Sequence, residues 1–170
     1  KGENRVREQV NQTKLQEIMT QVYDILEKIK DQLLDHPSVN TVTSGDLSEV
    51  DLTKTSIFPL THLILKNVRI SAKTLNFDLE VISMDVVDQT NEISDYDMFY
   101  GNDNTQDILN TQLNVVNSIH AHLNRGDLWL NRLQMDGDMN AEPFLERFEN
   151  VLAGWEATAS IEIPNGLNIC

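Results

Sequence analysis

Along residues 10–34, apolar side chains recur at steps of three and four: Val10, Leu15, Ile18, Val22, Ile25, Leu26, Ile29, Leu33 and Leu34. That spacing draws one stripe along a helix and leaves Lys, Glu, Gln and Asp on the opposite side. His36-Pro37 ends the pattern, because the residue before a proline is pushed out of helical geometry. The register is close to heptad from Leu15 through Ile29, which suits packing on the chain's own sheet or pairing with a neighbouring helix.

After Pro37 the period shortens. Val39 and Val42 form a short β-prone run closed by Ser44-Gly45-Asp46, residues that favour a turn. Ile57-Phe58-Pro59-Leu60 leads into Leu63-Ile64-Leu65 and Val68-Arg69-Ile70, and from Leu75 the alternation is plain. Leu75, Phe77, Leu79 and Val81 share one side, while Asn76, Asp78 and Glu80 share the other. Two strands joined near residues 71–74 are expected. Ile82, Met84 and Val86 then change phase, which predicts a bulge or a strand end buried on both faces.

Residues 88–103 read as a long polar loop, and Asn104 or Thr105 is placed to cap a helix carrying Ile108, Leu109, Leu113, Val115, Val116, Ile119 and Leu123. Gly126 stands where a C-terminal cap belongs. A strand between Trp129 and Met135 is plausible. The clearest strand is the last: Val151, Ala153, Trp155, Ala157, Ala159, Ile161 and Ile163 occupy every second position up to Pro164-Asn165-Gly166. Val151, Trp155, Ile161 and Ile163 are expected on its buried face, beneath the helix around residues 108–123.

This order of elements predicts an α+β fold: an antiparallel or mixed sheet with helices packed on one face, plus a long N-terminal helix. The 170 residues suit a single domain over 1–170, with the helix through residue 36 and an α+β sandwich over 37–170. No apolar run approaches the roughly 20 residues of a bilayer span, and the polar start of the chain predicts no signal peptide. One cysteine, Cys170, offers neither a disulfide framework nor a Cys-based zinc site, as expected of a protein made in a reducing cytoplasm.

Charge narrows the partners. Thirteen Lys+Arg stand against 27 Asp+Glu, a net charge of −14, whereas nucleic-acid binding requires clustered cations to displace counterions. Specific DNA or RNA binding is therefore not expected. Between Lys73 and Arg125 there is no Lys or Arg, while Asp78, Glu80, Asp85, Asp88, Glu92, Asp95, Asp97, Asp103 and Asp107 all fall there. That run reads as a solvated acidic face, as a wall that repels polyanions, or as a dock for a basic partner. Asp78, Glu80, Asp95, Asp97 and Asp103 are its candidate surface or lumen residues. Within the loop, Tyr96, Met98, Phe99 and Tyr100 are candidate interface residues, since aromatics and Met are enriched where proteins meet.

Catalytic signatures are not found. His120 and His122 are two apart, whereas a helical zinc pair needs a spacing of four. There is no G-x-S-x-G, no phosphate-binding G-x-x-x-x-G-K and no dinucleotide G-x-G-x-x-G. The aspartates of the loop and Asp136-Gly137-Asp138 lack the calcium-loop frame. The chain is read as non-enzymatic, with no catalytic, cofactor or metal residues.

The stretch Phe148-Glu149-Asn150-Val151-Leu152-Ala153-Gly154-Trp155 with Ile161-Glu162-Ile163-Pro164-Asn165 resembles the neck-ring and tail-terminator-like structural proteins of tailed bacteriophages, of the crAss-like kind. Phe58-Pro59-Leu60 after an N-terminal helix, and Met84-Asp85-Val86-Val87-Asp88 closing a strand, belong to the same likeness, which spans roughly residues 10–165. The resemblance implies a virion structural protein in the tail or neck region, assembled in the host cytoplasm. Its subunits would form a homo-oligomeric ring at the head–tail junction, beside other neck, portal or tail proteins, with DNA passing through without specific binding and no membrane partner. The alternative reading is an acidic adaptor or chaperone for a basic protein.

Overall fold

The computed structural model describes residues 22–88, 104–130, 132–147 and 151–165. The first helix, α1 (residues 22–34), presents Ile25, Ile29 and Leu33 to the core and ends at the turn before Pro37, where the proline rule puts it. Strands follow as β1 (Thr41–Ser44), β2 (Leu60–Ile70) and β3 (Thr74–Val86). Helix α2 (Thr105–Arg125) and the single turn α3 (Asp127–Leu130) precede β4 (Gln134–Met135), β5 (Asn140–Arg147) and β6 (Leu152–Pro164).

The sheet runs β1-β2-β3-β6, with β4 and β5 successively on the outer side of β6. It is mixed: β1 pairs with β2 in parallel, and every other pair is antiparallel. The fold is thus the expected α+β arrangement, with all three helices on one face. The anchor is β3, which pairs with β6 from Thr74↔Pro164 through Val86↔Leu152 without interruption.

Alternation assigns each side chain a face. Phe77, Leu79 and Val81 of β3 and Ile161 and Ile163 of β6 turn toward the helices, where they join Ile25, Ile29, Leu33, Val115, Ile119, Leu123 and Leu128 in the main core. Small residues let α2 approach β6 closely: Ala153, Ala157 and Ala159 are all buried beneath it. One polar chain crosses this interface. Ser83 Oγ donates to Gln112 Oε1 at 2.7 Å and also lies 3.2 Å from Thr61 Oγ1, all three residues being buried.

The opposite face is divided. At one end, Leu60, Ile82, Met84, Phe144 and Leu152 form a second core with Phe58, covered by the β1–β2 connection through Leu47, Val50, Leu52 and Ile57. Two short 3-10 turns, Leu47–Glu49 and Thr55–Ile57, fold that connection down. The phase change at Ile82 and Met84 therefore marks a strand end buried on both faces. The bulge lies instead in the partner strand, between Leu65 and Asn67.

Several local expectations are corrected. Asn104 sits at the α2 N-cap, but its side chain makes no cap bond. Its Oδ1 accepts from the Asp88 N–H at 2.7 Å and its Nδ2 donates to the Val86 carbonyl, so it clamps the exit of β3 to the start of α2. Gly126 is the C-cap, yet with φ −104° rather than a left-handed angle. Glycine suits it because a Cβ would stand 2.7 Å from His122 Nδ1 and 2.8 Å from His122 Cα. Val151, assigned to the last strand by alternation, lies just before β6 in a turn at φ +45° and is only half-buried. Trp155 is on the helix face as expected, but half-buried.

Candidate functional site

Among the described residues, half of the second sheet face has no covering segment; it is polar, and its geometry follows from the bulge in β2. Counting outward from the turn at residues 71–74 with strict pairing would set Lys66 opposite Leu79 and turn it into the helix-side core. The extra residue between Leu65 and Asn67 reverses the phase of the strand. Leu65 then joins the helix side beneath α1, and Lys66 swings to the open face, where its Nζ pairs with Glu80. Glu80 is buried, with 7% of its surface exposed, so Lys66 supplies the countercharge that burial demands. The pairing with Glu80, and the field of Glu156 behind it, holds the Lys66 ammonium above its ordinary pKa.

One step along, Asp78 collects three donors. Ser160 Oγ from β6 donates to Asp78 Oδ1 at 2.7 Å, Arg69 Nη2 lies 3.3 Å from the same oxygen, and Asn67 Nδ2 reaches Oδ2 at 3.4 Å. Arg69 also donates to Ser160 Oγ at 2.7 Å, which closes a three-strand polar triangle. These hydrogen bonds, led by Ser160, hold the Asp78 carboxyl below its usual pKa. Asn76 Nδ2 donates to Asp136 Oδ2 at 2.8 Å and extends the network to the segment after β4.

The structure thus brings Asp78 and Glu80 together on one face, each beside a cation. At Asp78 and Glu80 the cation-free run from Lys73 to Arg125 is a feature of the chain order, not of the surface, because the hairpin folds Arg69 and Lys66 onto them. Asp85 points to the helix side and is half-buried, and burial raises its pKa. Asp95, Asp97 and Asp103, and the loop residues Tyr96, Met98, Phe99 and Tyr100, lie outside the described residues.

The margins of the sheet are a second feature, one that the alternation pattern did not single out. Among the described residues, β5 pairs with no strand but β6, and β1 with no strand but β2. Pro143 lies within β5, and a proline inside a sheet is tolerated on such an outer strand. Large apolar side chains are exposed along the same margin: Leu145 in β5 at 54%, and Leu130 at 69% and Trp129 at 44% in α3, which abuts β4. The signal for this lay in Pro143 and in the poor periodicity of residues 129–147, which suits an edge better than a central strand.

Among the described residues, no group of three or more His, Cys, Asp or Glu is placed to hold a metal ion. His120 Nε2 accepts from Asn124 Nδ2 at 2.9 Å, while His122 lies against the Gly126 turn. No helix among them is long and apolar enough to cross a membrane. Compared with models of protein families and with curated proteins, the chain matches none.

Proposed function

We propose that this chain is a non-enzymatic structural subunit that assembles head to tail into a closed ring, of the neck or tail-terminator type found in tailed phages. The observation that carries the reading is the pair of unlike margins that no other strand pairs with among the described residues. One edge is the four-residue parallel strand β1, the other the antiparallel β5 with its exposed Leu145. Two different edges on one molecule are the starting point for a heterologous contact, and a heterologous contact that closes by rotation makes a ring. An exposed strand edge in a monomer is a hazard for uncontrolled pairing, and burying it in a defined neighbour removes the hazard.

Supporting features are of the same kind. Leu145, Leu130 and Trp129 supply exposed apolar surface for a neighbour, and Phe99 and Tyr100, interface candidates from the sequence alone, would add to it. The net charge of −14 suits a ring around DNA that must slide rather than adhere.

The test is a pair of variants. Leu145→Glu, and separately Phe99→Ser with Tyr100→Ser, are expected to leave the circular dichroism spectrum and melting behaviour of the subunit intact while preventing assembly. Wild-type assembly by both variants would remove the reading. A monomer that captures a basic protein in place of self-assembly would support the adaptor reading instead.

A further inference from the structure

His62 is fully buried in β2, beside the edge strand β1, on the face covered by the β1–β2 connection. Its ring makes two hydrogen bonds, and both partners belong to the edge. Nε2 lies 3.2 Å from the Gly45 carbonyl oxygen, and Nδ1 lies 2.7 Å from Thr43 Oγ1. A carbonyl can only accept, so the neutral ring carries its hydrogen on Nε2, and Nδ1 accepts from the Thr43 hydroxyl. The imidazole therefore ties both the strand β1 and the turn after it to β2. The backbone attachment of that edge is brief: four residues pair in parallel, flanked by Asn40 and Thr41 N–H to the Pro59 carbonyl and by Gly45 N–H to the Leu63 carbonyl.

We propose that His62 is an acid-sensitive latch that holds β1 and the connection behind it on the sheet and releases them when the ring is protonated. An added proton on Nδ1 turns an acceptor into a donor. The Thr43 hydroxyl must then reverse, and a full charge is placed in a buried site. The charged groups around the ring are few. Strand β1 offers none, and β2 flanks the ring on the same face with Leu60 and Ile64. Opposite stands Ile82, with Glu80 beyond it on β3, already paired with Lys66. The turn contributes Asp46, whose carboxylate is engaged by the Ser48 N–H at 2.9 Å and attracts the imidazolium from a distance. Along the connection, Glu49, Asp51 and Lys54 are exposed, the last two paired with each other. Burial outweighs both the Gly45 hydrogen bond and the attraction of Asp46, which agrees with a His62 pKa lowered from its ordinary value.

Release uncovers the outer edge of β2 from Leu60 to Leu63 and the apolar patch of Phe58, Leu60, Ile82 and Met84, a surface suited to pairing with a strand of another chain. The unfolded imidazole binds its proton near pH 6.5, and the latched one only below that, so the latch holds fully above about pH 6.5 and weakens as pH falls.

Amide hydrogen exchange on the whole chain, corrected for intrinsic rates, tests this. Between about pH 7.5 and pH 5, opening at residues 41–45 is expected to rise relative to β3 and β6, by no more than about tenfold per pH unit, the limit for one proton. His62→Gln retains a donor for Gly45 and an acceptor for Thr43 without titrating, and is expected to flatten the response. His36→Gln, which removes the other histidine whose pKa burial lowers, is expected to leave it unchanged. Equal exchange at both pH values, or a response that survives in His62→Gln, overturns the proposal. Should His62→Gln fail to fold, the ring resonances of wild-type His62 replace it. A His62 titration midpoint at or above 6.5 then overturns the proposal, and one that coincides with β1 opening sustains it.

Discussion

At Trp155 the indole N–H donates to the Leu109 carbonyl at 2.8 Å, so one side chain joins β6 to the first half of α2 both by packing and by a hydrogen bond. Because the ring is half-buried, Trp155→Ala is expected to cost about 2–3 kcal/mol, less than deletion of a fully enclosed aromatic. A denaturant titration that finds under 1 kcal/mol would contradict the packing of α2 on β6. Asp85 poses the opposite case. Burial raises its pKa, so the folded state holds its proton more tightly than the unfolded chain does. The carboxyl then favours folding below the ordinary carboxylate value of about 4, and that contribution is lost as pH rises through its raised value. Asp85→Asn is expected to stabilise the protein at pH 7, since the amide oxygen can still accept from the Val86 N–H. The gain should vanish below about pH 4, and a gain that persists there would contradict burial as the cause.

Among elements, the long strands were the most legible in the chain. Alternation through Phe77, Leu79 and Val81, and through Ala157, Ala159, Ile161 and Ile163, reports one buried and one polar face directly, and both strands carry those residues as read. What alternation cannot report is a shift of phase. The bulge at Lys66 adds one residue and reverses every side chain beyond it, so the Lys66–Glu80 pair was hidden. The edge position of β5 was equally hidden, because Pro143 and Leu145 break the period without naming a partner. Gly154 shows how tightly the central strands meet: a Cβ there would lie 2.0 Å from the Ser83 carbonyl oxygen of β3. Gly154→Ala is expected to destabilise by more than about 3 kcal/mol, since backbone rather than a movable side chain stands in the way. Thermal melting checks it, and a near-neutral result would contradict the β3–β6 register. For the polar face, Lys66→Met alone should destabilise more than Lys66→Met combined with Glu80→Leu, because the single change strands a buried carboxylate. A double variant no better than the single one would mean that Glu80 is not buried.

Taken whole, the chain is acidic, and its described residues form a sheet with helices on one face, the β1–β2 connection over part of the other, and two unlike margins. Its net charge sets the long-range field against DNA, so no saturable binding to duplex DNA is expected at about 0.15 M salt, where phosphate contacts would have to supply the affinity. Fluorescence anisotropy checks this, and micromolar saturable binding would overturn the proposal that DNA slides past this surface. The α+β class was readable from the order of periods along the chain, while the assembly reading rests on resemblance and on the open margins together. Size-exclusion chromatography with multi-angle light scattering, over a rising concentration series of the whole chain, addresses that reading most directly. The account predicts a single discrete oligomer of fixed subunit number that Leu145→Glu abolishes; a monodisperse monomer at every concentration, unchanged by that substitution, would contradict it.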